Sequence, residues 1–166
     1  MTDMFEFKRI LVPIDFSECS ERALGFALSL AVRFDAELFL MYVKDSRPGS
    51  RTYDDNVETR REVDAIERDE AALREIWGRV SGAVAAATGL PGLPDRVRHL
   101  RVAAGSPADE IVRAAEDAAV DLIVMGTHGR EGIKAMFVGS TTEQVVNRAT
   151  CAVMAVKPEG YPYLRD

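Results

Sequence analysis

Five short apolar runs take turns with segments of helical period along this chain, and that alternation leaves few folds open. Arg9–Asp15, Ala36–Val43, Asp121–Met125 and Cys151–Lys157 are close to continuously apolar, whereas Val97–Ala103 alternates apolar with polar. Continuous runs suit strands covered on both faces, and alternation suits a strand nearer a sheet edge. Between them, Ser20–Arg33 is apolar at 23, 24, 27, 28, 30 and 31. Val63, Ile66, Leu73, Ile76, Trp77, Val80 and Val84 mark a long helix ending near Gly89, with Glu70 four before Arg74 and Glu75 four before Arg79 on its outer face. Ser106-Pro-Ala-Asp109 offers an N-cap serine, proline at the first helical position and an acid at the third. Thr141–Ala149 is a short last helix. Strands alternating with helices predict an α/β fold: a Rossmann-like, open, five-stranded parallel sheet with helices on both faces.

No composition break or internal repeat divides the 166 residues, so a single domain over 1–166 is expected. Within it, residues 46–60 are polar without a period and read as a mobile loop, and 158–166 as a C-terminal tail. Apolar runs such as Leu38–Val43 are far too short to span a bilayer, and the N-terminus lacks the basic-then-apolar order of a signal peptide. A cytoplasmic protein without a membrane partner is expected. With 27 acidic against 21 basic side chains and no long basic run, there is no footprint for nucleic acid. Cys19 and Cys151 form no CxxC pair and read as reduced packing residues.

The stretch GTHGREGIKAMFVGS, residues 126–140, follows directly on the run Asp121–Met125 and places glycines at 126, 129, 132 and 139. Glycine is favoured where the backbone turns or is closely approached, and open parallel sheets bind ligands beyond the carboxyl ends of their strands. Residues 139–143, Gly-Ser-Thr-Thr-Glu, open the last helix with an S-x-x-E capping pattern. A helix start presents unpaired N–H groups and partial positive charge to a phosphate, and Ser140, Thr141 and Thr142 add hydroxyl donors. Neither G-x-x-x-x-G-K-[ST] nor G-x-G-x-x-G after the first strand is present. Asp15 suits capping the first helix as well as touching a ligand, and Arg130, next to Glu131, suits a solvated side chain as well as a phosphate clamp. His128 lacks a sequence-placed catalytic partner and reads as loop structure with a ligand contact; His99 reads as structural.

The spacing G-x2-G-x9-G-[ST], with Gly126, Gly129, Gly139 and Ser140 in register, resembles that of the universal stress protein family. The likeness extends over ILVPIDFSECSERAL at 10–24, ELFLMYV, GSPADEIVRAAEDAAVDLIVMGTHGREG and GSTTEQVVNRATCAVMAVK, in that order. It implies an adenine and ribose site at Pro13, Ile14, Asp15, Val43, Met125 and Gly126. It further implies a phosphate site at Thr127, His128, Gly129, Arg130, Gly132, Gly139, Ser140, Thr141 and Thr142, with no catalytic residue and no assigned metal site. The family often has valine where Thr141 stands and proline where Ala152 stands. The cofactor implied is ATP or another adenine nucleotide, with or without Mg²⁺, and the assembly a homodimer through the last strand, Ala152–Val156. The function expected is a stress-response regulator acting as a nucleotide-dependent switch or adaptor. The alternatives are a slow ATPase and a stress interaction module that binds no nucleotide.

Overall fold

A computed structural model describes residues 6–46, 59–89, 97–128 and 138–160. The elements follow the order β1 (Arg9–Ile14), α1 (Glu18–Phe34), β2 (Glu37–Asp45), α2 (Thr59–Thr88), β3 (Val97–Gly105), α3 (Pro107–Asp117), β4 (Leu122–Gly126), α4 (Ser140–Arg148) and β5 (Ala152–Val156). All strand pairs are parallel and the sheet order is β3-β2-β1-β4-β5. The alternating run is therefore an edge strand, and the α/β sheet expected from the sequence is the one observed. Thr59 and Arg60, expected within the loop 46–60, belong to α2; residues 47–58 lie outside the described set, as does 161–166 of the tail.

The period-2 geometry of the strands sorts their side chains into two cores. Ile10, Val12, Ile14, Leu38, Leu40, Tyr42, Leu122 and Val124 pack against α1 and α2, where Ala23, Leu24, Ala27, Leu28, Leu73 and Trp77 close the layer. Leu11, Met41, Ile123 and Met125 pack on the opposite face against Ala108, Ile111, Val112 and Ala115 of α3 and Val145 of α4. A fully buried leucine such as Leu24 or Leu28 contributes roughly 1.5–3 kcal/mol, so α1 is held chiefly by its apolar stripe.

Two helical expectations are corrected. Arg79 makes its close contacts not along α2 but with Glu21 on α1, whose two carboxylate oxygens its guanidinium meets at 2.8 Å each, while Glu75 adds a weaker Coulombic attraction. The period of α2 also overstates its packing: among the described side chains, burial begins at Leu73, and Ile66 is 47% exposed. At the start of α3, Ser106 is the N-cap residue with Pro107 inside the first turn, as expected, but its hydroxyl makes no capping bond. Asp109 instead pairs with Arg148, tying α3 to α4. Cys19 and Cys151 are free thiols. Among the described residues no helix is long and apolar enough to cross a membrane.

Candidate functional site

The strand order sets the site. From β1 the chain builds outward through β2 to β3, then returns to place β4 on the other side of β1. The carboxyl ends of β1 and β4 therefore flank the point where the order reverses, and the helices following them diverge to opposite faces, leaving a crevice. Pro13 and Ile14 end β1 and Asp15 follows it; Met125 and Gly126 end β4 and Thr127 and His128 follow it; Val43 lies on the neighbouring β2. Gly139, Ser140, Thr141 and Thr142 open α4. Gly129, Arg130, Gly132 and the side chain of His99 lie outside the described residues. Ile14 and Met125 are 2% and 4% exposed and belong to opposite cores, so each offers the crevice little beyond its backbone.

The β1 side is organised by two residues that the sequence did not single out. Ser17, rather than Asp15, is the N-cap of α1, its hydroxyl oxygen accepting from Ser20 N–H at 3.2 Å. Asp15 instead receives the Ser17 N–H at 3.1 Å and the Ser17 hydroxyl at 2.5 Å, a local turn that fixes its carboxylate. Between them Phe16 adopts φ 64°, a left-handed conformation that costs a non-glycine residue about 1–3 kcal/mol. The Phe16 ring lies 4.7 Å from that of Tyr42, so packing on β2 holds the strained turn. The D-x-S spacing of Asp15 and Ser17 was the available signal.

The β4 side is knotted to α4, α1 and β5 by short contacts. Thr127 N–H donates to Val156 O at 2.9 Å, and Gly139 N–H donates to Thr127 O at 2.7 Å. The Thr142 hydroxyl donates to Gly126 O at 2.8 Å, and the Cys19 thiol to Val156 O at 3.2 Å. Thr127 Oγ1 lies 2.8 Å from His128 Nδ1. These contacts bear on three expectations. The N-cap of α4 is Gly139, one residue before Ser140, so Ser140 and Glu143 do not form the expected capping box. The Thr142 hydroxyl donates its one hydrogen to Gly126 O from a side chain 3% exposed, so that hydrogen is engaged within the protein. Finally, a Cβ on Gly126 would fall 2.9 Å from Cys19 Sγ, and one on Gly139 3.1 Å from Thr127 O, so internal contacts crowd a side chain at both positions, more severely at Gly126.

What the arrangement offers an anion is the first turn of α4. Glu143 N–H makes the first intrahelical bond, to Gly139 O at 3.0 Å, which leaves the N–H groups of Ser140, Thr141 and Thr142 as the unpaired helix start. Their acidic neighbour Glu143 sits one residue further along. Among the described residues no group of three or more His, Cys, Asp or Glu side chains could hold a metal ion.

A profile of the universal stress protein family matches residues 6–157. A universal stress protein of Methanocaldococcus jannaschii is 32% identical over 158 residues, covering 91% of this chain and 82% of the relative. A putative universal stress protein of Staphylococcus epidermidis is 32% identical over 162 residues, covering 96% of this chain and 89% of the relative. Among solved structures, the universal stress protein UspA of Lactobacillus plantarum superposes with a TM-score of 0.71 at 26% identity, covering 91% of this chain and 98% of that one. A universal stress protein of Archaeoglobus fulgidus in complex with dAMP shares the fold, with a TM-score of 0.56 at 19% identity over 91% of this chain and 98% of that one.

Proposed function

The chain belongs to the universal stress protein family, and on that premise we propose that it holds an adenine nucleotide between the carboxyl ends of β1 and β4 and acts as a cytoplasmic, nucleotide-dependent stress regulator. One observation carries the reading: Gly139 N–H on Thr127 O and the Thr142 hydroxyl on Gly126 O pin the start of α4 against the end of β4. That join sets unpaired N–H groups at the crevice, where a phosphate gains most. Pro13, Val43 and the backbone of Ile14, Asp15, Met125 and Gly126 line the adenine and ribose; Ser140, Thr141, the backbone of Thr142, Thr127 and His128 take the phosphates with Gly129, Arg130 and Gly132. ATP is the preferred occupant, and Mg²⁺ enters with its phosphates. A universal stress protein with this fold, at 19% identity, is known in complex with dAMP.

Mass spectrometry of small molecules released from purified, denatured protein tests the reading, with calorimetric titration of ATP, AMP and adenosine. Retention of an adenine nucleotide, or binding of ATP, supports it. Arg130→Ala removes a charge-assisted contact of about 1.5–3 kcal/mol, so it should weaken ATP roughly tenfold or more and leave adenosine unchanged. A protein that retains no nucleotide and binds none of the three overturns the proposal. The enzyme alternative is separated by phosphate release with ATP and Mg²⁺. Typical enzymes turn over on the order of 10 per second, whereas this protein should be far slower and barely respond to His128→Ala.

A further inference from the structure

The turn after β1 carries more than a helix cap requires. An N-cap needs one acceptor, and the Ser17 hydroxyl oxygen supplies it to Ser20 N–H at 3.2 Å. The same hydroxyl donates its single hydrogen to Asp15 Oδ1 at 2.5 Å, and that oxygen also accepts the Ser17 N–H at 3.1 Å. Residue 15 is thereby clasped to residue 17, with Phe16 between them at φ 64°, a conformation that sterics disfavour for a bulky side chain. The Ser17 oxygen further stands 3.5 Å from His128 O, so it faces the β4 side of the crevice from the β1 side, 111 residues away in the chain. Backbone strain held from several directions beside a candidate site points to pre-organisation.

We propose that Ser17 is a positioning residue of the nucleotide site: its hydroxyl holds the turn Asp15–Phe16 in the binding shape before the ligand arrives and spaces that turn from His128. The proposal rests on the nucleotide reading above. Without the hydrogen of Ser17, the left-handed turn loses one of the contacts that oppose its relaxation. Only the fraction of molecules that keeps the turn then binds, and the apparent affinity falls by that fraction. Because Ser17 acts through the turn and touches no ligand itself, the loss is one common factor for every adenine ligand. That sets it apart from Arg130→Ala, whose effect is confined to ligands with phosphate.

Position 17 allows the cap and the clasp to be separated. Glycine is a tolerated N-cap and has no hydroxyl, whereas threonine keeps both acceptor and hydrogen. ATP, AMP and adenosine are titrated calorimetrically into the parent, Ser17→Gly and Ser17→Thr, with urea midpoints measured alongside. Ser17→Gly should weaken all three ligands by the same factor, roughly fivefold, as one net hydrogen bond is worth. Ser17→Thr should bind as the parent does. Should Ser17→Gly prove poorly folded, Ser17→Asp takes its place: it keeps the cap but has no hydrogen for Asp15, and uncharged adenosine should weaken by the same factor. If the parent binds and the hydroxyl-free variant binds as tightly, the positioning role is overturned and the nucleotide reading stands. A loss confined to ATP, or one that threonine does not restore, overturns it equally. A parent that binds none of the three overturns the nucleotide reading and this role with it.

Discussion

Replacing Gly126 by alanine separates two reasons for a glycine at the end of β4. The added Cβ would lie 2.9 Å from Cys19 Sγ, 3.0 Å from the Cys19 carbonyl carbon and 3.2 Å from Cys19 Cβ. The sulfur cannot simply swing aside, since its side chain is buried and the thiol is bonded to Val156 O. The carbonyl carbon can retreat only by lifting the first turn of α1 away from its Ser17 cap. Overpacking of this kind costs about 1–3 kcal/mol, and the reduced freedom of alanine in the unfolded chain returns about 0.4–1 kcal/mol. Taking the centre of each range, the net loss is about 1.3 kcal/mol. At about 2–4 °C per kcal/mol for a domain of this size, the melting temperature should then fall by about 3–5 °C. Urea unfolding with an unchanged slope measures the loss. Combining the change with Cys19→Ala removes the sulfur contact and should make the pair less damaging than the sum of the singles. A Gly126→Ala protein as stable as its parent, or additivity within about 0.3 kcal/mol, refutes the packing argument. Unchanged stability with lost ATP binding would return this glycine to the ligand.

Ser17→Ala removes the cap of α1 and the hydroxyl that fixes Asp15; a loss of about 1–2 kcal/mol is expected in urea unfolding, largely restored by Ser17→Asp. Burial pushes the Cys151 thiol above the ordinary thiol range. Its alkylation by iodoacetamide should therefore rise with pH later than that of an exposed thiol. The neutral thiol's contribution to stability should be complete below the ordinary thiol pKa and fall away as pH climbs through that range, read as a declining urea midpoint. β5 is an edge strand apolar at all five positions, with Ala152 and Ala155 exposed, while the opposite edge β3 carries Arg98 and Arg101. Homodimerisation through β5 is therefore expected, and light scattering should give twice the chain mass, shifting toward monomer in Ala152→Lys, Ala155→Lys.

The strands were legible because burial on two faces, or on one, writes itself directly into the apolar pattern: alternation in Val97–Ala103 marked the edge position that β3 holds. Helix α2 was legible as a helix but not in its packing, since a 3.6-residue period records an apolar stripe without saying which turns reach the core. Ile66 continues the stripe and stays exposed. Arg79 found Glu21, 58 residues away, in place of a neighbour on its own helix, and no local spacing encodes that choice. The left-handed Phe16 was hidden for a different reason. Its propensity argues against the conformation, and packing against the Tyr42 ring on another strand helps to over-determine it.

The start of α4 shows how a correct motif can be read one residue out of register. The sequence offers Ser140 and Glu143 as a reciprocal cap, and in an isolated helix that pairing would be a reasonable outcome. Here the Gly139 N–H is taken by Thr127 O at 2.7 Å, and a side chain at Gly139 would press on the same oxygen at 3.1 Å. The join between β4 and α4 therefore favours a residue without a side chain at the cap, and the serine lies inside the helix. The displacement has a chemical consequence. A serine cap would have satisfied one of the N–H groups of the first turn with its own oxygen. A glycine cap has no such oxygen, so the first turn keeps its donors for an anion from outside. The same contact that closes the backbone thus leaves the proposed phosphate site its donors, and a glycine favoured by packing is compatible with that site.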